Sequence, residues 1–103
     1  MTVNLYDNNG RKTGNWKEHY KNGEVMGVGK YKAGKKTGEW KHYYINDQLK
    51  GTGLYIADEV DGHWEFYRKD GKIWQQGSFD HNKRVGEWKF YDKNGKLSLT
   101  KSY

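Results

Sequence analysis

The chain has 103 residues, of which 33% are apolar, 31% charged and 17% aromatic. It contains no cysteine and no proline, which excludes disulfide staples, thiolate nucleophiles and zinc–sulfur sites and leaves no strand broken by a missing N–H. The net charge of +6 attracts nucleic acid, anionic lipid or acidic protein without choosing among them, and disordered chains are normally poor in the rings that are abundant here.

The N-terminal run Met1-Thr2-Val3-Asn4-Leu5-Tyr6 has neither a basic n-region nor an apolar h-region. No stretch approaches the roughly 18 apolar residues that span a bilayer. A cytoplasmic location without an integral membrane segment is therefore expected. Residues 1–13 read as an irregular N-terminal strand, and Tyr6-Asp7-Asn8-Asn9-Gly10 echoes Tyr91-Asp92-Lys93-Asn94-Gly95. From residue 14 onward the chain repeats. Gly-x-Trp occurs at Gly14-Trp16, Gly38-Trp40, Gly62-Trp64 and Gly86-Trp88, at a constant spacing of 24 residues, and defines four units: 14–37, 38–61, 62–85 and 86–103.

Within each unit the next position in register is His19, Tyr43, Tyr67 or Tyr91. Turn pairs follow at Asn22-Gly23, Asn46-Asp47, Asp70-Gly71 and Asn94-Gly95, then an aliphatic column of Val25, Leu49, Ile73 and Leu97. A glycine column comes next (Gly29, Gly53 and Gly77, with Lys101 in the last place), then Tyr31, Tyr55, Phe79 and Tyr103. Each unit thus reads as a β-hairpin, because Asn-Gly and Asp-Gly supply the positive φ of tight turns and the flanking runs alternate with ring-bearing and β-branched residues. A second turn, around Gly34, Asp58 and Asn82, joins each unit to the next.

The register follows from the turn. A three-residue loop with a glycine bulge sets the aliphatic column opposite His19, Tyr43, Tyr67 and Tyr91, placing ring against aliphatic in each hairpin. That register also predicts Phe66 opposite Trp74, on the face of Trp64. The fold expected is all-β: an elongated single-layer antiparallel meander of about nine strands, with glycines leaving room for rings on adjacent strands and open edge strands through which copies could associate.

These columns resemble the MORN repeat (membrane occupation and recognition nexus), and most of all its bacterial variant, the YwqK-like antitoxin-type repeat. The residues that carry the resemblance are Gly38-Glu39-Trp40-Lys41-His42-Tyr43 with Asn46-Asp47-Gln48-Leu49, and their equivalents in the neighbouring units. It implies a hairpin array acting in protein interaction, scaffolding or lipid contact, without cofactor or catalytic residues, and the antitoxin variant implies a toxin as partner. The sequence departs from the pattern at His19, at Gln75 where earlier units have Gly27 and Gly51, and at Lys101.

Catalytic chemistry is not indicated. His19, His42, His63 and His81 fall at four different repeat positions with no HxH or HExxH spacing. Asp58-Glu59-Val60-Asp61 reads as a solvated turn, Ser78, Ser98 and Ser102 lack a nucleophile-elbow context, and no helix follows Gly27-Val28-Gly29 to bind an anion. No enzyme, metal or cofactor is expected. Two binding candidates stand out. Basic residues at the between-unit turns, Arg11, Lys12, Lys35, Lys36, Lys83 and Arg84, form either an anion-binding edge or an ordinary lysine-rich surface. Off-consensus rings, Phe66, Trp74 and Phe90 beside Trp64 and Trp88, form either extra packing or a partner-binding patch. The reading is a non-catalytic module for a protein partner, with weak binding of anionic lipid or nucleic acid through the basic turns as the alternative.

Overall fold

The computed structural model describes residues 3–103. Nine strands form one sheet: β1 (Leu5–Tyr6), β2 (Lys12–His19), β3 (Val25–Lys32), β4 (Lys35–Tyr43), β5 (Leu49–Ile56), β6 (Glu59–Tyr67), β7 (Ile73–Asp80), β8 (Lys83–Tyr91) and β9 (Leu97–Ser102). Every strand pairs antiparallel with its neighbour in sequence, in the order β1 to β9. The result is the all-β meander expected, elongated to 48 × 31 × 20 Å.

The Asn-Gly turns adopt the bulged geometry. Tyr20 N–H donates to the Glu24 carbonyl at 2.8 Å and Gly23 N–H to the Tyr20 carbonyl at 3.0 Å, with Gly23 at φ 91°. His19, Tyr43, Tyr67 and Tyr91 accordingly pair with Val25, Leu49, Ile73 and Leu97. The same two hydrogen bonds recur at Asp7–Arg11, so the first turn copies the later ones, as its sequence echo suggests. At the opposite end of the strands, which the Asp7–Arg11 turn shares, the linking turns are two-residue turns with φ of 51° and 82° at Ala33-Gly34, 47° and 72° at Ala57-Asp58, and 47° and 70° at His81-Asn82.

One expectation about pairing fails. Phe66 lies opposite Gln75, not Trp74. The pairing steps from Tyr67–Ile73 to Phe66–Gln75 and skips Trp74, as it skips Met26, Lys50 and Ser98 in the other hairpins. This bulge is needed because the chain between the turn and the glycine column is one residue longer than its partner strand.

A second irregularity makes the Gly-x-Trp motif intelligible. Between units, Val28 pairs with Lys41 and Lys30 with Thr37, so Gly38-Glu39-Trp40 together oppose the single residue Gly29. Gly38 takes φ 70°, a value that L side chains rarely adopt. The wide bulge lays the Trp40 indole across Gly29, where a Cβ would fall inside the ring, and Nε1 donates to the Lys30 carbonyl at 3.0 Å. Trp64 crosses Gly53 and Trp88 crosses Gly77 in the same way, with Nε1 donating to Leu54 and Ser78 at 3.0 Å each. Each tryptophan thus locks its own unit onto the preceding one. No second layer covers the sheet among the described residues, and these indoles, with Trp16 and Tyr31, are its core.

Candidate functional site

The face that carries the tryptophans is built as two interleaved sets of rings. One set stacks along the sheet: Trp40, His42, Trp64, Phe66 and Trp88 follow one another at 5.7–6.4 Å between centroids with interplanar angles of 18–22°, and Phe90 continues the row at 33°. The other set meets them edge-on: Tyr31 against Trp40, Tyr55 against Trp64 and Phe79 against Trp88, at 5.0–5.2 Å. Edge-to-face and offset contacts of this kind are favoured by the ring quadrupoles.

His42 stands in the row where the next two units have Phe66 and Phe90. Its Nε2 lies 3.0 Å from the Tyr55 hydroxyl. Burial, and then the Lys36 and Lys50 cations, hold its pKa below the ordinary 6.5, against an opposing pull from Glu18. Burial likewise raises Tyr55 and Tyr67 above the usual phenol value. Tyr31 is raised too, first by burial and then by its hydrogen bond to Glu18.

Trp64 and Trp88, expected in an accessible patch, are core: 2% and 0% exposed, each crossing a glycine. Phe66 and Phe90 are half-buried in the row, and Trp74 is 42% exposed on its bulge with the Arg68 guanidinium 5.7 Å from its ring. Five rings therefore do not form one open cluster, because the sheet buries the two consensus indoles against glycines.

The basic residues are also placed differently from expectation. The between-unit turns are Ala33-Gly34, Ala57-Asp58 and His81-Asn82, while Lys12, Lys35, Lys36, Lys83 and Arg84 lie on strands. Lys12 Nζ sits 4.7 Å from the Trp16 ring centroid and Lys36 Nζ 5.2 Å from that of Trp40. The Arg84 guanidinium lies 4.2 Å from the Trp88 ring. These cations roof the indoles. Arg11 pairs with Asp7 at 3.1 Å, and only Lys35 and Lys83 of the set are exposed strand lysines. The sequence signal for the roof is the four-residue spacing of Lys12-Trp16, Lys36-Trp40 and Arg84-Trp88, which leaves cation and ring on one face.

The bulge column and the inner ring column border a groove of about 460 Å³ over Gly51, walled by Met26 and Phe66 and bordered by Tyr20, His42 and Lys50. The sequence reading did not find it. Its only trace is that Glu18, His42, Phe66 and Phe90, like Met26, Lys50, Trp74 and Ser98, vary from unit to unit while the tryptophan column is constant.

Elsewhere, Asp61, Asp80 and His81 bring ligand atoms within 4.8 Å of one another at an exposed turn end. His81 there faces Glu59 at 3.9 Å and Asp80 at 3.7 Å, so its neighbourhood is an ordinary set of surface charges. No helix long and apolar enough to cross a membrane occurs among the described residues.

No curated relative matches the sequence significantly. Four stretches, 12–33, 36–57, 60–81 and 84–103, match the MORN repeat variant, a repeat type that typically serves as a protein- or membrane-lipid-binding module. Each match begins two residues before the glycine of Gly-x-Trp and takes in the indole, the turn and the glycine-column position, which is Lys101 in the last match. With most of its length in four such repeats and each repeat folded as a hairpin locked onto the last, the chain belongs to the MORN repeat variant family.

Proposed function

We propose that the chain is a non-catalytic module that holds a protein partner against the turn-side half of its ring-bearing face. One observation carries the reading. Trp74 stands 42% exposed at a position that strand pairing skips, so its indole serves no register. Met26, Lys50 and Ser98 fill the same place in the other units, which means that the fold does not require a ring there. Half-buried Phe66 and Phe90 flank the next residue, Gln75, on its two neighbouring strands. Exposed aromatic anchors with buried support are where interface energy concentrates.

The narrower form of this reading is a cytoplasmic antitoxin or immunity-type protein that masks a toxin, and its support is the antitoxin-type resemblance alone. Anionic lipid or nucleic acid has less support, since Lys12, Lys36 and Arg84 direct their charges over rings and Arg11 is paired.

The test is affinity capture from the native lysate with mass spectrometry, followed by the variant Trp74→Ser. The substitution should weaken a stoichiometric protein partner by about 2 kcal/mol, roughly thirtyfold, with little change in the melting temperature. Undiminished binding, or capture of lipid or nucleic acid alone, overturns the reading. Unfolding of the variant would assign the indole to packing.

A further inference from the structure

The space behind the three-residue turn of each hairpin is filled differently in each unit. Glu18, His42, Phe66 and Phe90 lie opposite Gly27, Gly51, Gln75 and Leu99. In the third hairpin the Gln75 side chain occupies the space: it is 8% exposed, and its Oε1 accepts a hydrogen bond from Arg84 Nη1 at 2.9 Å. In the second hairpin Gly51 has no side chain to do so, and the groove over it stays open. One unit back, a carboxylate stands at the corresponding place, Glu18.

The two rings that border this groove are held in place before any ligand arrives. Phe66 is clamped between Trp64 at 5.7 Å and Trp88 at 6.4 Å, and His42 between Trp40 at 5.8 Å and Trp64 at 6.2 Å. Little ordering entropy is therefore lost on occupation. Its charge is one-sided. No aspartate or glutamate lines the groove, and Lys50 stands at its margin with its ammonium 5.6 Å from the Tyr44 ring. Among the described residues neither Lys50 nor Lys36 forms an ion pair. The acid that acts on His42, Glu18, is already engaged, with Lys12 at 3.6 Å and with the Tyr31 hydroxyl at 3.0 Å.

We propose that this groove receives an acidic segment of the partner protein, with one apolar side chain laid over Gly51 between Met26 and Phe66 and a neighbouring carboxylate beside Lys50. The inference rests on the protein-binding reading above and adds the partner's chemistry. An apolar groove alone would accept any apolar group. The unpaired ammonium favours an acidic neighbour and repels a basic one, which is how charge contributes specificity. Gln75 in the third hairpin and Glu18 in the first distinguish the second hairpin from both among the described residues.

The experiment is a titration of the isotope-labelled full chain with a capped octapeptide of alternating glutamate and leucine, followed by amide shifts. Its controls are the lysine–leucine counterpart and vesicles rich in phosphatidylserine. The acidic peptide should move the amides of Met26, Lys50 and Phe66 and saturate at one per chain, while the basic peptide should not. Lys50→Glu should weaken the acidic peptide by about tenfold or more. Gly51→Gln, which transplants the arrangement of Gln75, should abolish binding. Should Gly51→Gln fail to fold, Lys50→Glu, an exposed change, decides alone.

Equal binding of the two peptides overturns the proposal, as does acidic-peptide binding indifferent to Lys50→Glu. Shifts of the same amides by vesicles but not by peptide would assign the groove to lipid headgroups, and peptide-independent dimer formation would assign it to a second copy. If the peptide fails while Trp74→Ser still weakens the captured partner, only the acidic-segment inference falls. If the peptide binds but Trp74→Ser is silent, the groove stands and the Trp74 anchor falls.

Discussion

His42 is the residue whose environment and chemistry disagree most. It occupies the stacked row in the place of Phe66 and Phe90, yet it carries a titratable ring. Burial and the nearby Lys36 and Lys50 both disfavour the imidazolium, so its pKa in the folded chain lies below 6.5. A folded-state pKa below the unfolded one means that the unfolded chain binds the extra proton first. The stabilising contribution is then fully present above about pH 6.5 and is lost as the pH falls through the folded pKa. Thermal melts should show a loss of stability on going from neutral to mildly acidic pH. His42→Phe should flatten that part of the profile, because it restores the ring of the equivalent positions without a proton. A variant with an unchanged acid slope would show that another group drives it.

At the level of the strand pair, the decisive contact is an indole lying on a glycine. A Cβ at Gly53 would fall among the Cγ, Cδ2 and Cε2 atoms of Trp64, so Gly53→Ala must displace a ring that is only 2% exposed. Overpacking of this kind costs about 3 kcal/mol. Lys101 holds the same column opposite Trp88 without an indole over it, and Lys101→Ala should change stability by less than about 0.5 kcal/mol. Urea midpoints of the two variants test the contrast, and equal costs would remove the interlock as the source of cohesion. Much of this layer was legible in the sequence. Turn chemistry acts within a few residues, and the glycine and ring columns repeat in register, so both could be read without a structure. The Trp74 bulge could not be read from the turn alone. It follows only once Trp64 is known to face Gly77, because three steps separate Trp64 from Tyr67 but four separate Ile73 from Gly77. The groove over Gly51 was hidden for the same reason: it lies between columns whose relative placement depends on that skipped residue.

Across the whole molecule, cohesion is local. Each strand pairs only with its neighbours in sequence, and the radius of gyration of 15.3 Å exceeds the roughly 13 Å of a globular domain of this length. Further links also join adjacent units only. The Tyr20 and Tyr44 hydroxyls donate to the Tyr43 and Tyr67 carbonyls at 2.7 Å, and Arg68 Nη2 donates to the Tyr91 carbonyl at 2.9 Å. At the other end the Asp58 and Asn82 side chains accept from the Lys36 and Val60 amides at 2.7 and 2.8 Å. Stability in such an array is a sum of unit terms and nearest-neighbour terms, so damage should stay near its origin. Trp16 tests this, because it packs between Tyr6 and Tyr31 and its Nε1 donates to the Leu5 carbonyl, all in the first unit and the strand before it. Trp16→Ala, at a cost of about 3–5 kcal/mol to its own surroundings, should speed amide exchange in β1 to β3 while leaving β7 to β9 as protected as in the parent chain. Uniform loss of protection from β1 to β9 would mean that the sheet opens as one cooperative body, and that the couplings between units exceed the stability of any unit alone.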